Sequence, residues 1–375
     1  MPPHQPVPPC LTTGEPGSFA AFTLEKRLPA ILDNLLKNST DTLTMQRLQQ
    51  LSAEIREGEI TPLSPVIFDA LNRAIKPCIG RSWADMPFLA VELYFYARIL
   101  LAFSYNTATP ADPFQSVKEA ANLQAIESLT ILTDYCEPDC DIRELLRRSV
   151  TGNIADLSQH AVPEADQVSL LVDESDAAER LFASGMQRID LVCDNAGMDI
   201  LTDLLLIHRI SSYCSHIVMH IRPWPMFVSD MTMTDMENLI RQLVSSPVPA
   251  AKHLGKNITQ LLQQNRLTLR ASPALGLPVC FCEDKALTRE TFENTELVIF
   301  KGDLNYRYFA GDRRWPHITE KRHFSEQFSH PAICLRTLKS EVLVGLPPEI
   351  AAGTLHLHPD WLTSSRYGII QVFTG

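Results

Sequence analysis

Residues 189–200 read IDLVCDNAGMDI and contain, in order, a strand-like run, a turn and the start of a helix. Residues 189–193 are rich in Ile, Leu and Val, as is typical of a buried β-strand. Asp194, Asn195 and Gly197 then interrupt the run with residue types that favour turns. A strand that leads through a tight turn into a helix is the repeating unit of α/β proteins, so this stretch predicts the fold class.

The same alternation recurs along the second half of the chain, after residue 155. Further short strand-like runs lie at residues 217–221, 267–269, 297–300, 333–335 and 367–372. Helical patterns lie between the runs, at residues 176–186, 200–210 and 236–243. Strands that alternate with helices favour a parallel sheet. We therefore predict an α/β fold with a doubly wound, mostly parallel sheet.

The first half of the chain has a different pattern. Residues 1–16 contain six prolines, which predicts a mobile or extended arm. From residue 17 to residue 155, apolar residues recur at spacings of three and four, as at Leu48, Leu51 and Ile55, and predict helices. Residues 83–103 form the most hydrophobic of these segments, which we expect to be a buried helix.

Composition excludes several classes of protein. The 375 residues are 45% hydrophobic and 21% charged, which is typical of a folded globular chain of two to three domains. The net charge of −11 argues against general binding to nucleic acid or to an anionic membrane. The N-terminus lacks the pattern of a signal peptide, no run of 18 apolar residues occurs, and the nine cysteines are scattered. We therefore expect free thiols and a cytoplasmic location.

Two acidic clusters follow predicted strands. Asp194 and Asn195 come directly after the run 189–193, and Asp230 follows the run 217–221. Ligands of open α/β sheets bind at the carboxyl ends of the strands, and oxygen ligands of this kind suit Mg²⁺ or Mn²⁺. If the two strands are neighbours, the three side chains share one crevice. The alternatives are an Asx turn that caps a helix and an ordinary loop aspartate.

Two basic clusters also follow predicted strands. KGDLNYR at residues 301–307 follows one run, and RTLK at residues 336–339 follows another. From Lys301 to Lys339 there are eight Lys and Arg residues against four Asp and Glu residues, in a chain that is acidic elsewhere. A basic region of this kind favours a specific anion pocket, with a solvated loop as the alternative. The phosphate-binding glycine motifs, the GxSxG elbow and the HExxH motif are all missing.

Together these four clusters resemble the metal-dependent damage-control phosphatases, and in particular their subfamily III, which includes sugar-phosphate phosphatases and the so-called acidic residue methyltransferase. Asp194-Asn195-Ala196-Gly197 resembles the DN-x-G metal motif of the family, and Asp203 stands at the position of its downstream aspartate. Residues 301–307 resemble its substrate loop, and residues 336–339 its RTxK signature. The resemblance covers nearly the whole chain. At Asp199 the family usually has glutamate.

The resemblance implies a helical N-terminal region over residues 17–155 and a three-layer α/β/α Rossmann-like sandwich over residues 156–375 that binds one divalent ion of Mn, Mg, Co or Ni. It implies hydrolysis of small phosphomonoesters, sugar phosphates such as fructose phosphates above all, so that the partner is a small phosphorylated metabolite. The implied metal ligands are Asp194, Asn195 and Asp230, and Asp199 joins them as a catalytic residue. The implied substrate-binding residues are Asp303, Leu304, Asn305, Tyr306, Arg307, Arg336 and Lys339.

In this interpretation Lys339, with Arg307 and Arg336, binds the phosphate, and Asp303 and Asn305 orient sugar hydroxyls. Whether Asp194 or a water molecule is the nucleophile is left open, as are the physiological substrate and the oligomeric state. Two alternatives remain: a carboxyl methyltransferase that uses S-adenosylmethionine, and a non-catalytic metal-binding protein.

Overall fold

The computed structural model describes residues 7–64, 66–106, 111–131, 140–152, 168–354, 356 and 358–374. Three features of the sequence interpretation lie outside these residues: the first six residues of the proline-rich arm, one of the nine cysteines (Cys136), and the boundary predicted between residues 155 and 156.

The described residues contain one seven-stranded sheet. Its strands are β1 (Ser169–Asp173), β2 (Met186–Val192), β3 (Cys214–Ile221), β4 (Leu267–Ala271), β5 (Leu297–Lys301), β6 (Ala332–Thr337) and β7 (Tyr367–Phe373). They lie in the order β1-β7-β6-β5-β2-β3-β4, and every neighbouring pair is parallel except β6 and β7. The predicted mixed α/β fold with a mostly parallel sheet is therefore confirmed. The sequence interpretation missed β1, an edge strand in which only Val172 is buried.

Helices precede the sheet and cover both of its faces. They are α1 (Phe19–Phe22), α2 (Leu28–Asn38), α3 (Thr42–Glu57), α4 (Asp69–Ile75), α5 (Phe88–Ala102), α6 (Gln115–Ser128), α7 (Ile142–Gly152), α8 (Ser175–Ala183), α9 (Met198–Ile210), α10 (Met233–Ser245), α11 (Pro249–Gln263), α12 (Lys285–Thr291), α13 (Gly302–Ala310), α14 (Lys321–Phe328) and α15 (Pro348–Thr354). A π-helix (Thr23–Arg27) connects α1 to α2.

Successive strand residues face opposite sides of the sheet, which produces two hydrophobic cores. Leu191 and Ile299 belong to the core that contains α6–α11 residues, whereas Val192 and Phe300 belong to the core shared with α1–α5, α13 and α14. The N-terminal helices thus complete one layer against the sheet. Because these helices share a core with the sheet, residues from both halves of the chain lie next to each other on this face.

Helix α5 is the buried helix expected from the sequence. Thirteen of its fifteen residues are buried, including Glu92. No helix in the described segments has the length and hydrophobicity of a membrane span.

Two local features add detail to the sequence interpretation or depart from it. Residues 10–13 are extended and anchored, since Leu11 N donates to Asp312 O at 2.9 Å and Thr13 Oγ1 donates to Trp83 O at 2.7 Å. The KGDLNYR segment, expected as a loop, is the last residue of β5 followed by the first two turns of α13. Gly302 has φ +83°, which lets the chain turn from strand to helix within one residue.

Candidate active site

The first acidic turn joins β2 to α9, and the second joins β3 to α10. Because β2 and β3 are parallel neighbours, both turns lie at the same edge of the sheet. They also bond to each other: Asn195 and Asp230 form a bridge, Ala196 N donates to Ser229 O at 2.7 Å, and Met231 N donates to Asp194 O at 3.3 Å. The structure therefore brings together the three residues predicted as metal ligands.

Hydrogen bonds orient these three side chains. The Nδ2 of Asn195 donates to Asp194 Oδ2 at 3.0 Å, and its Oδ1 accepts from Ser229 Oγ at 2.7 Å. Arg222 Nε donates to Asp230 Oδ2 at 2.5 Å. The amide oxygen of Asn195 has a second lone pair beside the one used by Ser229, so it retains the capacity to bind a cation.

The donor set fits a hard divalent cation. Asp194, Asn195 and Asp230 offer two carboxylates and one carboxamide, all buried, and such oxygen ligands suit Mg²⁺ or Mn²⁺. The described residues contain no cluster of three or more His, Cys, Asp and Glu side chains placed to hold an ion. The candidate set therefore depends on Asn195 as its third protein ligand, and water or substrate would complete the coordination.

A cavity opens at these ligands. It is lined by Phe19, Arg27, Glu92, Tyr96, Asp194, Asn195, Phe227, Val228, Ser229, Asp230, Asp303, Leu304, Arg307 and Lys339. Seven of the residues singled out from the sequence are on its wall: Asp194, Asn195, Asp230, Asp303, Leu304, Arg307 and Lys339. Asp199, Asn305, Tyr306 and Arg336 are not among the lining residues, and they lie behind it.

Arg307 is held between two carboxylates. Its Nε and Nη2 donate to Asp312 at 2.8 and 3.0 Å, and its Nη1 donates to Glu92 Oε2 at 2.7 Å. Burial lowers the pKa of Arg307, but Asp312 and Glu92 outweigh it and raise that pKa above the ordinary value. Burial raises the pKa of Glu92 against the opposing effect of Arg307. Part of the charge of Arg307 is thus neutralised inside the protein.

Asp303 links the cavity to the RTLK segment. Its Oδ1 accepts from Arg336 Nε at 2.8 Å and from the Lys339 backbone N at 2.9 Å. Burial raises the pKa of Asp303, but the charges of Arg336 and Arg307 and the hydrogen bonds to the carboxylate together outweigh burial and lower that pKa below the ordinary value, so the carboxylate stays ionised. Lys339 is buried and its side chain lines the cavity.

The three substrate-binding candidates behind the wall hold other residues in place. Asn305 donates to Cys193 O at 2.9 Å and accepts from Arg222 Nη2 at 2.9 Å. The hydroxyl of Tyr306 accepts from Val344 N at 3.1 Å. The guanidinium of Arg336 lies 4.4 Å from the Tyr306 ring centroid and is fully buried. These contacts hold residues around the cavity in place, and substrate binding by Asn305, Tyr306 and Arg336 stays a prediction.

Asp199 belongs to a second buried charge cluster. It accepts from Asn195 Nδ2 at 3.1 Å, and Lys301 Nζ lies 3.2 Å from Asp199 Oδ1 and 3.4 Å from Asp203 Oδ1. Burial raises the pKa of Asp203 to about 7, the charge of Lys301 opposes this shift, and Asp199 reinforces it. Asp199 therefore fixes the orientation of the Asn195 side chain through this hydrogen bond.

Sequence reasoning missed the cavity residues that come from the first half of the chain and from the segment before Asp230: Phe19, Arg27, Glu92, Tyr96 and Phe227. Arg27 is the last residue of the π-helix, a structure that often occurs at functional sites. The available signal was Glu92, a buried carboxylate within a mostly apolar helix.

Comparison with known proteins shows the family of this chain. The family model described as Damage-control phosphatase ARMT1-like domain matches residues 23–352. The protein named Damage-control phosphatase ARMT1 from Danio rerio is 29% identical, over 95% of this chain and 94% of that protein. The protein of the same name from Homo sapiens is 26% identical, over 97% of this chain and 98% of that protein.

Among solved structures, a DUF89 family protein from Pyrococcus horikoshii matches with a TM-score of 0.51 and 12% identity, and the match covers 93% of this chain and 98% of that chain. At that identity the match shows the fold alone. The family model spans most of the residues, and relatives with the family name align over nearly the full length. On these grounds the chain belongs to the damage-control phosphatase ARMT1-like family.

Proposed function

We propose that this chain is a metal-dependent phosphatase that hydrolyses small phosphomonoesters, sugar phosphates such as fructose phosphates in particular, with one divalent ion of Mn, Mg, Co or Ni. The observation that carries the proposal is that one cavity has the oxygen donors Asp194, Asn195 and Asp230 and the cations Lys339 and Arg307 on its wall. In phosphoryl transfer, metal ions and cationic side chains together neutralise the charge on the phosphate oxygens.

Asp194, Asn195 and Asp230 would hold the ion, and Arg222 would fix the orientation of Asp230. When bound, a divalent ion polarises a phosphoryl oxygen and offsets the charge that develops in the transition state. Lys339 donates to the phosphate oxygens. Arg307 has N–H groups left beyond those spent on Asp312 and Glu92, and they bind the same oxygens from the neighbouring side.

The hydroxyl groups of a sugar are bound by Asp303. Because its carboxylate stays ionised, Asp303 accepts hydrogen bonds and donates none, which suits the hydroxyls of a sugar. Arg336 and the Lys339 backbone hold it in one orientation. The proposal includes a cytoplasmic location, supported by the free thiols of the described cysteines, and a small phosphorylated metabolite as the partner.

The test is phosphate release from a panel of sugar and metabolite phosphates, with each of the four metals added and with EDTA as the control. Release that requires a metal and stops with EDTA is expected. Absence of release with every metal, from folded protein shown to bind the metal, would contradict the proposal. A separate titration of the same protein with S-adenosylmethionine then distinguishes the two alternatives. Binding of S-adenosylmethionine would favour methyl transfer, and absence of binding would favour a non-catalytic metal-binding role.

A further inference from the structure

Helix α6 contacts both of the turns that carry the proposed metal ligands. Its residue Asn122 accepts a hydrogen bond from Gly197 N at 2.7 Å, within the turn that carries Asp194 and Asn195. Its residue Lys118 donates from Nζ to the backbone O of Asp230 at 3.3 Å. Lys118 and Asn122 are four residues apart, so they lie on one face of the helix. Both side chains are buried.

The Gly197 amide has a particular need for this contact. Gly197 is the N-cap of α9, and a helix leaves its first amide groups without partners inside the helix. A Cβ placed on Gly197 would lie only 3.2 Å from Ala121 Cβ, so α6 packs directly on the turn. Asn122 therefore supplies the hydrogen bond acceptor at a place where the packing excludes water.

Lys118 anchors the other turn through charge. It pairs with Asp235, and its Nζ lies 2.5 Å from Asp112 Oδ2. Asp235 belongs to the capping box that begins α10, immediately after Asp230. Buried charges are stable only when they are paired, so this group fixes the backbone around Asp230 relative to α6.

We propose that Lys118 and Asn122 are positioning residues that set the separation of the two ligand turns, with α6 as the rigid element between them. The proposal rests on the proposed function, since it assumes that the turns bind a metal ion. Neither residue lines the cavity, so each acts on the ion through the turn that it contacts. Outer groups that orient metal ligands change metal affinity about 10- to 100-fold when they are removed.

The experiment measures Mn²⁺ binding to the full chain by isothermal titration calorimetry. Asn122→Ala removes the acceptor of the Gly197 amide and is expected to raise the dissociation constant about tenfold. Asn122→Asp keeps an oxygen at the same position, and its affinity is expected to be at least that of the unchanged chain. Gln124→Ala, at an exposed position of the same helix, is the matched control and is expected to have no effect.

Binding by Asn122→Ala with unchanged affinity would overturn the proposal. So would equal weakening by Asn122→Ala and Asn122→Asp, because a loss that the retained oxygen cannot rescue is not due to this hydrogen bond. If the alanine variant does not fold, Asn122→Ser replaces it, since its oxygen falls short of the Gly197 amide. If the unchanged chain binds Mn²⁺ no better than Asp194→Ala does, the proposed function fails together with this inference. That result is distinguishable from failure of the inference alone.

Discussion

Two polar groups with opposite surroundings lie on or next to strands β2, β3 and β4. The first, here called the sheet triad, consists of Asp190, His220 and Ser272. His220 lies 2.8 Å from Asp190 Oδ2 through Nε2 and 2.6 Å from Ser272 Oγ through Nδ1, and all three side chains are buried. The second consists of the proposed ligands Asp194, Asn195 and Asp230, which lie just beyond the ends of β2 and β3 and line the cavity.

The difference shows that residue types alone do not define a site. The sheet triad has the composition of a serine hydrolase site, yet none of its members lines the cavity, and its hydrogen bonds are satisfied within the protein. Asp190 is also held by Arg188, at 2.6 and 2.8 Å. A buried polar group that is fully paired stabilises a unique packing, whereas a polar group at a cavity is available for chemistry.

The largest expected effect comes from Asp194→Ala. Loss of a metal ligand removes transition-state stabilisation of several kcal/mol, so we expect phosphate release to fall by more than about 1000-fold. The fold should be retained, because the change removes no apolar contact. Asp190→Asn is the matched change in the sheet triad and should lower stability while activity is kept. The two variants are compared by initial rates of phosphate release and by thermal unfolding. Substantial turnover by Asp194→Ala would exclude Asp194 as a metal ligand.

The next largest effect is expected for Lys339→Ala. A charge-assisted hydrogen bond to phosphate contributes up to about 3 kcal/mol, so kcat/KM should fall by about 100-fold. Lys339→Arg should recover part of the loss. Arg322→Ala is the control, since Arg322 lies in the same basic segment but is exposed and pairs with Glu326. Equal kcat/KM for Lys339→Ala and the unchanged chain would show that Lys339 does not bind the phosphate.

The third prediction concerns pH and the sheet triad. Burial lowers the pKa of His220 below its ordinary value, although Asp190 opposes the shift. The unfolded chain then binds more protons than the folded chain once the pH falls below about 6.5, the ordinary His pKa. The contribution of neutral His220 to stability is thus complete above that pH and is lost as the pH decreases.

His220→Gln removes this titration. Urea unfolding between pH 5 and pH 8 should show the stability advantage of the unchanged chain over the variant shrinking below pH 6.5, by at most about 1.4 kcal/mol per pH unit. Thr268→Ala removes the hydrogen-bond partner of the half-exposed His216 and is the control for loss of stability caused by any change in this part of the sheet. Parallel pH profiles for His220→Gln and the unchanged chain would show that His220 does not titrate on unfolding.

The sheet and the ligand turns could be predicted from the sequence because their signals are local. Each of β2 to β7 is a short apolar run, and the neighbouring arrangement of β2 and β3 placed Asp230 beside Asp194 as expected. Strand β1 was not predicted because a half-exposed edge strand has little hydrophobic signal. The anchoring of residues 10–13 was not predicted because it depends on Asp312 and Trp83, which are distant in the sequence.

The cavity wall was predicted only in part, for a similar reason. Spacing and motif identify which residues follow a strand, but not which direction a helical residue faces. Once residues 302–310 form a helix, Leu304 and Arg307 face the cavity, whereas Asn305 and Tyr306 point into the protein. Glu92 and Arg27 reach the cavity through packing between the two halves of the chain, which no local pattern encodes.

The smallest expected effect is that of Ser272→Ala, and it separates the two polar groups most sharply. With Nε2–H of neutral His220 donating to Asp190, Nδ1 accepts from the Ser272 hydroxyl, so the variant leaves one buried acceptor unpaired at a cost of about 1 kcal/mol in the free energy of unfolding. Phosphate release should be unchanged, because Ser272 does not line the cavity. In a serine hydrolase the same substitution removes the nucleophile. Loss of turnover by Ser272→Ala, in protein that still binds Mn²⁺, would therefore move the chemistry from the cavity to the sheet triad, whereas full turnover with slightly lower stability assigns the triad to folding.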